Sequence, residues 1–231
     1  MRNTLILFCF LYLNLPVFAT KNSFKDKNEV RYIKDKQLLD PQLQSYYRSQ
    51  SLWKDYISDF PEWYVIFNEY SGLPYRAFGK PVQLSSAYSS EVFNFFSSKN
   101  FILPNDLRLN HSLRNDKHIN IEYTQYFDDI EVIDSRLYVK LTLNNELIVF
   151  GMDLYNDINI SVTPTISPDQ AISSASLDIS SSISNVIVED DLKILPIPYQ
   201  RDYTYHLIYV VNFSTRIDQG PADYRCYIDA H

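Results

Sequence analysis

The side chains best suited to chemistry are four histidines, two cysteines and many serines and carboxylates. His111, His118, His206 and His231 offer no pair at the spacing by which one helix presents two metal ligands. Cys226 has no sulfur neighbour in the sequence, and strand alternation makes it a buried packing residue. The sequence therefore predicts no metal site and no cofactor.

Nucleophilic and acid–base chemistry also lack a motif. No serine lies in a Gly-x-Ser-x-Gly turn, and the serines at 180–182 belong to a polar connector. The acidic groups at 128–129 and 189–191 fit turns better than they fit a pair of catalytic carboxylates. We therefore expect no catalytic residues and no enzyme activity from this chain.

Gln125 is the most informative polar residue because it shares the apolar face of its strand with Tyr123 and Phe127. A buried amide requires hydrogen-bond partners. We favour bonding to the backbone inside the same domain, and the alternative is that Gln125 faces a protein partner.

The elements that position these residues alternate between helices and antiparallel strands. In the first half, the patterns predict an irregular helix over 41–56 and a hairpin from 62–70 through Gly72 to 75–78. A helix capped by Ser85 or Ser86, which buries Tyr88, Val92, Phe95 and Phe96, and a three-stranded meander over 118–151 follow. In the second half, they predict a helix starting at Pro168 after a capping box, and strands at 186–188, 205–213 and 224–228. This order predicts an α+β fold with two small units, each an antiparallel sheet packed on a helix.

The N-terminus has the features of an export signal. An apolar run over 5–13 is followed by Val17-Phe18-Ala19 and then by polar Thr20. The run is shorter than the roughly 20 residues that a membrane-spanning helix requires. We therefore expect 1–19 to be a signal peptide cleaved between Ala19 and Thr20, residues 20–56 to be a leader with a possible helix, and the mature chain to be secreted or periplasmic without a membrane anchor.

Composition excludes further classes of protein. A net charge of −7 argues against a partner with a phosphate backbone, so we expect no nucleic acid. Only four glycines are present, which argues against phosphate-binding loops. With 45% apolar residues, the chain has enough for a hydrophobic core.

The segment 118–132 resembles the fungalysin/thermolysin propeptide motif, in which a strand with Gln and Tyr is followed by a short turn and Ile-x-Val. The positions that match are His118, Tyr123, Gln125, Tyr126, Ile130 and Val132, and the resemblance continues to Gly151. Upstream, residues 71–79 are similar to the hairpin that precedes this motif. Asp128-Asp129 departs from the family, where a turn with Gly is usual.

Downstream, residues 165–175 are similar to the helix that opens a PepSY domain, and 207–213 and 224–230 are similar to its closing strands, ending with a hydrophobic-Asp-Ala tripeptide that contains Asp229. The resemblance implies two cystatin/PepSY-like units, a propeptide-like domain at 57–157 and a PepSY-like domain at 163–231. A PepSY domain normally continues with another strand, so the resemblance also implies that this one is truncated.

In this family, the propeptide assists folding of a secreted zinc metalloprotease and holds it inactive until cleavage. The protease carries His-Glu-x-x-His, which this chain lacks. The resemblance thus implies an intramolecular chaperone and inhibitor whose partner is a zinc metalloprotease domain. The alternatives are a stand-alone secreted protein-binding or inhibitor module and a truncated gene fragment, and the coding sequence downstream would distinguish them.

Overall fold

The computed structural model describes residues 7–11, 39–176, 183–200, 202–217 and 220–231. Within them the fold is mixed α+β, with a large sheet and four helices, so the predicted α+β class is confirmed. The predicted cleavage site at Ala19 and Thr20, most of the signal peptide, and the leader up to residue 38 lie outside the described residues. Each described helix is too short or too polar to cross a membrane.

The described chain forms two compact units. The larger unit contains Leu38–Asn159 and Pro196–Tyr205, and the smaller unit contains Ile160–Leu195, His206–His231 and the strand at 7–11. The helices are α1 (Pro41–Ser49), α2 (Ser51–Asp59), α3 (Ser89–Ser98) and α4 (Pro168–Ser176), and the strands are β1 (Leu7–Leu11), β2 (Trp63–Phe67), β3 (Pro74–Gln83), β4 (Leu107–Arg114), β5 (His118–Phe127), β6 (Ile130–Val132), β7 (Arg136–Thr142), β8 (Glu146–Asp153), β9 (Ile183–Val188), β10 (Lys193–Tyr199), β11 (Asp202–Ile217) and β12 (Gly220–Asp229).

The irregular helix predicted over 41–56 is two helices. Asp40 caps α1, because its carboxylate accepts a hydrogen bond from the backbone N–H of Gln42 at 2.8 Å and Pro41 occupies the first helical position. The break falls at Gln50, whose backbone is extended (φ −71°, ψ 152°). The sequence did not predict this break, because no proline or glycine marks it.

The helix predicted after Ser85 and Ser86 starts later than expected. Its N-cap is Tyr88, which makes no side-chain capping bond. The Ser85 hydroxyl instead bonds the carboxylate of Glu91, and the Ser86 hydroxyl accepts from the backbone N–H of Tyr88. The prediction that Tyr88 belongs to the buried face is wrong, since 78% of it is exposed.

The predicted hairpin and meander are confirmed. Strands β2 and β3 pair around a turn at Gly72, which has φ of 68°. Strands β5, β7 and β8 are successive neighbours in the sheet. Asp128 and Asp129 turn the chain from β5 into β6, Asn145 turns it from β7 into β8, and all three have positive φ. Strands β4 and β6 were not predicted, and both pair with β5.

One face of the larger unit's sheet packs against the helices in an aromatic core. Tyr56 of α2 contacts Trp63 of β2 and Phe150 of β8, with ring centroids 5.6 Å and 5.7 Å apart. Phe96 of α3 meets the same Phe150 ring at 5.0 Å. Because the helices bury this face, the strands alternate between buried core residues and residues on the opposite face.

The segment 196–205 completes the larger unit. Tyr203 packs edge to face on Tyr155, with centroids 4.9 Å apart, and its hydroxyl bonds the side chain of Asn68 at 3.1 Å. The hydroxyl of Tyr205 donates to the carbonyl of Asn156 at 2.8 Å, and burial raises the pKa of Tyr205 to about 12. The tyrosines therefore hold this segment against the end of β8.

The smaller unit places α4 beside a long hairpin of β11 and β12. The capping box predicted at the start of α4 is confirmed: the N–H of Ser167 donates to the Gln170 side chain at 2.8 Å, and the N–H of Gln170 donates to the Ser167 hydroxyl at 3.3 Å. Strand β9 pairs with β11, and the backbone of β1 pairs with the other edge of β12. Ala171 and Ala175 form the buried stripe of the helix.

Candidate functional site

No group of three or more potential metal ligands converges within the described residues. His111 lies on β4, His118 opens β5, His206 lies on β11 and His231 follows β12. The backbone N–H of His118 donates to the Asn115 side chain at 2.8 Å, which closes the β4–β5 turn. These four side chains are therefore distributed over both units rather than collected at one centre.

Asp229, from the resemblance to PepSY domains, joins the ends of two strands in the smaller unit. One of its carboxylate oxygens lies 2.9 Å from Nδ1 of His206 on β11, and the other accepts from the backbone N–H of His231 at 2.9 Å. His206 is thus paired inside the smaller unit. Cys226, on the same strand as Asp229, is fully buried, as predicted.

Gln125 occupies the centre of a polar network in the larger unit. It is 3% exposed, and its amide bonds both backbone groups of Tyr155: Nε2 donates to the carbonyl at 2.7 Å, and Oε1 accepts from the N–H at 2.9 Å. Its own backbone N–H donates to the Ser135 hydroxyl at 2.8 Å. The structure thus shows the favoured arrangement, in which Gln125 bonds the backbone inside its own domain.

The other positions of the resembled motif lie on β5 and β6. Tyr123 and Val132 are buried, Ile130 is half-buried, and the Tyr123 hydroxyl donates to Ser89 at 3.1 Å. Burial raises the pKa of the Tyr123 phenol. The guanidinium of Arg108 lies 4.0 Å from the ring centre of Tyr126.

Arg108 connects this motif to the turn that follows it. Its guanidinium bonds the carboxylates of Asp106 and Asp129, and the bond to Asp106 lowers the pKa of that carboxyl group. Asp129 belongs to the turn in which the family usually has glycine, and both turn residues have positive φ. The two aspartates thus form the tight turn without glycine, and one of them is anchored by Arg108.

Gly151 is required by a close backbone approach. A Cβ atom at this position would lie 2.4 Å from the carbonyl oxygen of Tyr75 on β3. Because the residue has no side chain, the sheet has a notch at this point on the face that the helices do not cover.

The face of the larger unit's sheet opposite the aromatic core, called here the outer face, is crossed by two adjacent rows of residues. The first row consists of Tyr64, Phe78, Val149, Lys140, Asn120 and Leu113, which are opposite one another on successive neighbouring strands. The second row consists of Ile66, Arg76, Gly151, Tyr138, Glu122 and His111. Apart from Gly151, all of these residues are exposed or half-buried.

The ends of the outer face are apolar. Tyr64 and Phe78 stack with centroids 5.8 Å apart and remain 67% and 44% exposed, and Leu113 is 63% exposed at the opposite end. Exposed apolar clusters of this kind are typical of binding surfaces. Sequence reasoning missed this surface, although the alternation along β3 and the glycine on β8 were its available signals.

No protein-family model matches the chain, and no curated protein is found to be similar to it. Among solved structures, the chain is similar to the C-terminal domain of YpeB from Bacillus megaterium. The identity is 18%, the match covers 73% of this chain and 72% of that chain, and the TM-score is 0.34.

Proposed function

We propose that the chain is a protein-binding module of the propeptide type, acting as chaperone and inhibitor of a zinc metalloprotease domain. The observation that carries the proposal is the bare outer face, with the stacked pair Tyr64 and Phe78 exposed while the opposite face is filled by the aromatic core. A single-sided sheet with an exposed apolar cluster is suited to docking against a protein.

The resemblance of residues 118–132 gives the proposal its partner. In this proposal, the larger unit corresponds to the propeptide-like module and the smaller unit to the PepSY-like module, both of the cystatin/PepSY type. Binding would be by surface complementarity, and no bond of the partner is made or broken by this chain.

Two assays on one preparation test the proposal. The refolded chain is added to denatured thermolysin-type proteases as they refold, and separately to the active enzymes. We expect a higher yield of active protease in the first assay and inhibition in the second. If neither effect appears with several proteases of this type, the proposal is wrong.

We also propose that the chain is exported and cleaved after Ala19. The support is the apolar run at 5–13 followed by Val17-Phe18-Ala19. N-terminal sequencing of the protein recovered outside the producing cell is expected to begin at Thr20. A chain that retains Met1 in the cytoplasm would contradict this proposal.

A further inference from the structure

The notch at Gly151 is a small cavity on the outer face whose charged lining residues are two arginines and one glutamate. It has a volume of about 140 Å³ and is lined by Tyr75, Arg76, Glu122, Arg136, Tyr138, Phe150 and Gly151. A water molecule takes up roughly 30 Å³ in the liquid, so the notch has room for a carboxylate group. The floor is backbone because Gly151 contributes no side chain.

Arg76 is the available cation at this notch. Arg136 is held by Asp153, whose side chain is buried, through a contact of 3.1 Å. Arg76 is exposed, and Lys140 in the adjacent row is half-buried. Neither makes an ion pair with any residue that the structure describes. A guanidinium presents five donors and no acceptor, so its natural partner is a carboxylate.

Glu122 also lines the notch, and Gly151 and Tyr138 stand between it and Arg76 along the row. Glu122 accepts a hydrogen bond from the Asn110 side chain at 3.3 Å, and the Tyr138 hydroxyl donates to Asn120 at 3.1 Å. Glu122 and Tyr138 thus have partners inside the chain, while the side chain of Arg76 has no hydrogen bond or ion pair with another described residue.

An open groove of about 670 Å³ lies beside the notch. Its lining combines the apolar residues Tyr64, Phe78 and Val149 with the ion pair of Lys80 and Glu62. Phe78 is two residues from Arg76 on β3, and Val149 is two residues from Gly151 on β8. Same-face residues on one strand are about 7 Å apart, which is also the distance between alternate side chains of an extended peptide.

From this geometry we infer that the outer face binds an extended segment of a partner protein in which Asp or Glu stands two residues from a large apolar residue. The carboxylate occupies the notch beside Arg76, and the apolar side chain lies in the groove on Phe78. The inference rests on the proposed protein-binding function and adds the surface and the chemistry that it recognises. Because Arg76 and Lys140 have no ion pair among the described residues, an acidic partner segment supplies the charge that this part of the outer face lacks.

A peptide titration tests the inference directly. The isotope-labelled full chain is titrated with acetyl-Phe-Ser-Asp-amide and, as the matched control, with acetyl-Phe-Ser-Asn-amide, while backbone amide shifts are recorded by NMR. We expect the Asp peptide to bind at least about fivefold more tightly, with the largest shifts at Arg76, Tyr138 and Gly151. Arg76→Gln should remove the preference, and Arg114→Gln, an exposed arginine on β4 outside both rows, should keep it.

Equal affinity for the two peptides, or shifts centred elsewhere, would overturn the inference. Self-association of the chain that disappears in Arg76→Gln would also overturn it, because the occupant would then be a second copy.

Inhibition assays separate this inference from the proposed function. If the Arg76→Gln variant inhibits a thermolysin-type protease as well as the parent chain does, the proposed function stands and the inferred binding surface is wrong. If the parent chain inhibits no such protease, the proposed partner is wrong, and the peptide titration still tests the binding surface.

Discussion

The side-chain amide of Gln125 forms the same pair of hydrogen bonds with Tyr155 that a neighbouring strand would form, at 2.7 Å and 2.9 Å. Gln44 repeats this arrangement at the other end of the larger unit. Its amide donates to the carbonyl of Phe67 and accepts from the N–H of Phe67, both at 2.9 Å. Two buried glutamines thus satisfy backbone groups where the sheet has no strand to do so.

We expect Gln125→Leu to lower the free energy of unfolding by on the order of 2–4 kcal/mol, because both backbone groups of Tyr155 lose their buried partner. Chemical denaturation monitored by tryptophan fluorescence measures the change. Gln42→Leu, at an exposed position of α1, is the control and should change stability by less than about 0.5 kcal/mol. Equal stability of the two variants would refute the role given to Gln125.

Gln44 and Arg48 protect the edge of β2. They lie one turn apart on α1, and Arg48 donates to the carbonyl of Val65 at 3.3 Å. We expect Gln44→Leu to lower stability by about 1–3 kcal/mol and to increase aggregation, since it opens backbone groups of an edge strand. Denaturation and light scattering measure the two effects. A variant as stable and as soluble as the parent would show that the edge needs no such protection.

The hydroxyl of Tyr56 is buried, and within the described part of the chain it has no hydrogen-bond partner. Burial raises the pKa of this phenol well above its usual value. We expect Tyr56→Phe to increase the free energy of unfolding by about 1 kcal/mol, because it removes a desolvated polar group and keeps the ring.

Tyr123→Phe is the matched control for this prediction. Tyr123 is equally buried, but its hydroxyl bonds Ser89, so the variant should lose about 1 kcal/mol. Thermal unfolding of both variants beside the parent gives the comparison. Destabilisation by Tyr56→Phe comparable to that of Tyr123→Phe would mean that the Tyr56 hydroxyl is satisfied in solution.

Gly151→Ala should lower the free energy of unfolding by about 1–3 kcal/mol, because the added methyl group meets the backbone of Tyr75 and not a side chain that can move. Ser112→Ala on exposed β4 is the control, and it should leave stability within about 0.5 kcal/mol. Denaturation curves of the two variants test the requirement for glycine. A Gly151→Ala protein as stable as the control would mean that β3 and β8 separate easily.

The elements with a strict pattern were predictable from the sequence. Leu137, Val139 and Leu141 alternate with polar residues, and all three are fully buried. The capping box at Ser167 is a local pattern and it formed as predicted. Gln125 was also predictable, because its place in an apolar alternation already required a buried partner.

Other elements depend on tertiary contacts that the pattern does not contain. Strand β4 is mostly exposed and polar, so its pairing with β5 leaves no alternation in the sequence. Strand β10 contains Pro196 and Pro198, which argue against a strand by local rules. The outer face joins residues of six strands, and only the register of the sheet shows which of them are neighbours.

The inhibitor role is tested by progress curves of a thermolysin-type zinc protease, recorded with increasing concentrations of the refolded chain. We expect saturable, slow-onset inhibition that remains after the chain is repurified and that disappears when the chain is unfolded. Linear progress curves at every concentration, with several proteases of this type, would contradict the proposal that this chain is a protease-binding propeptide module.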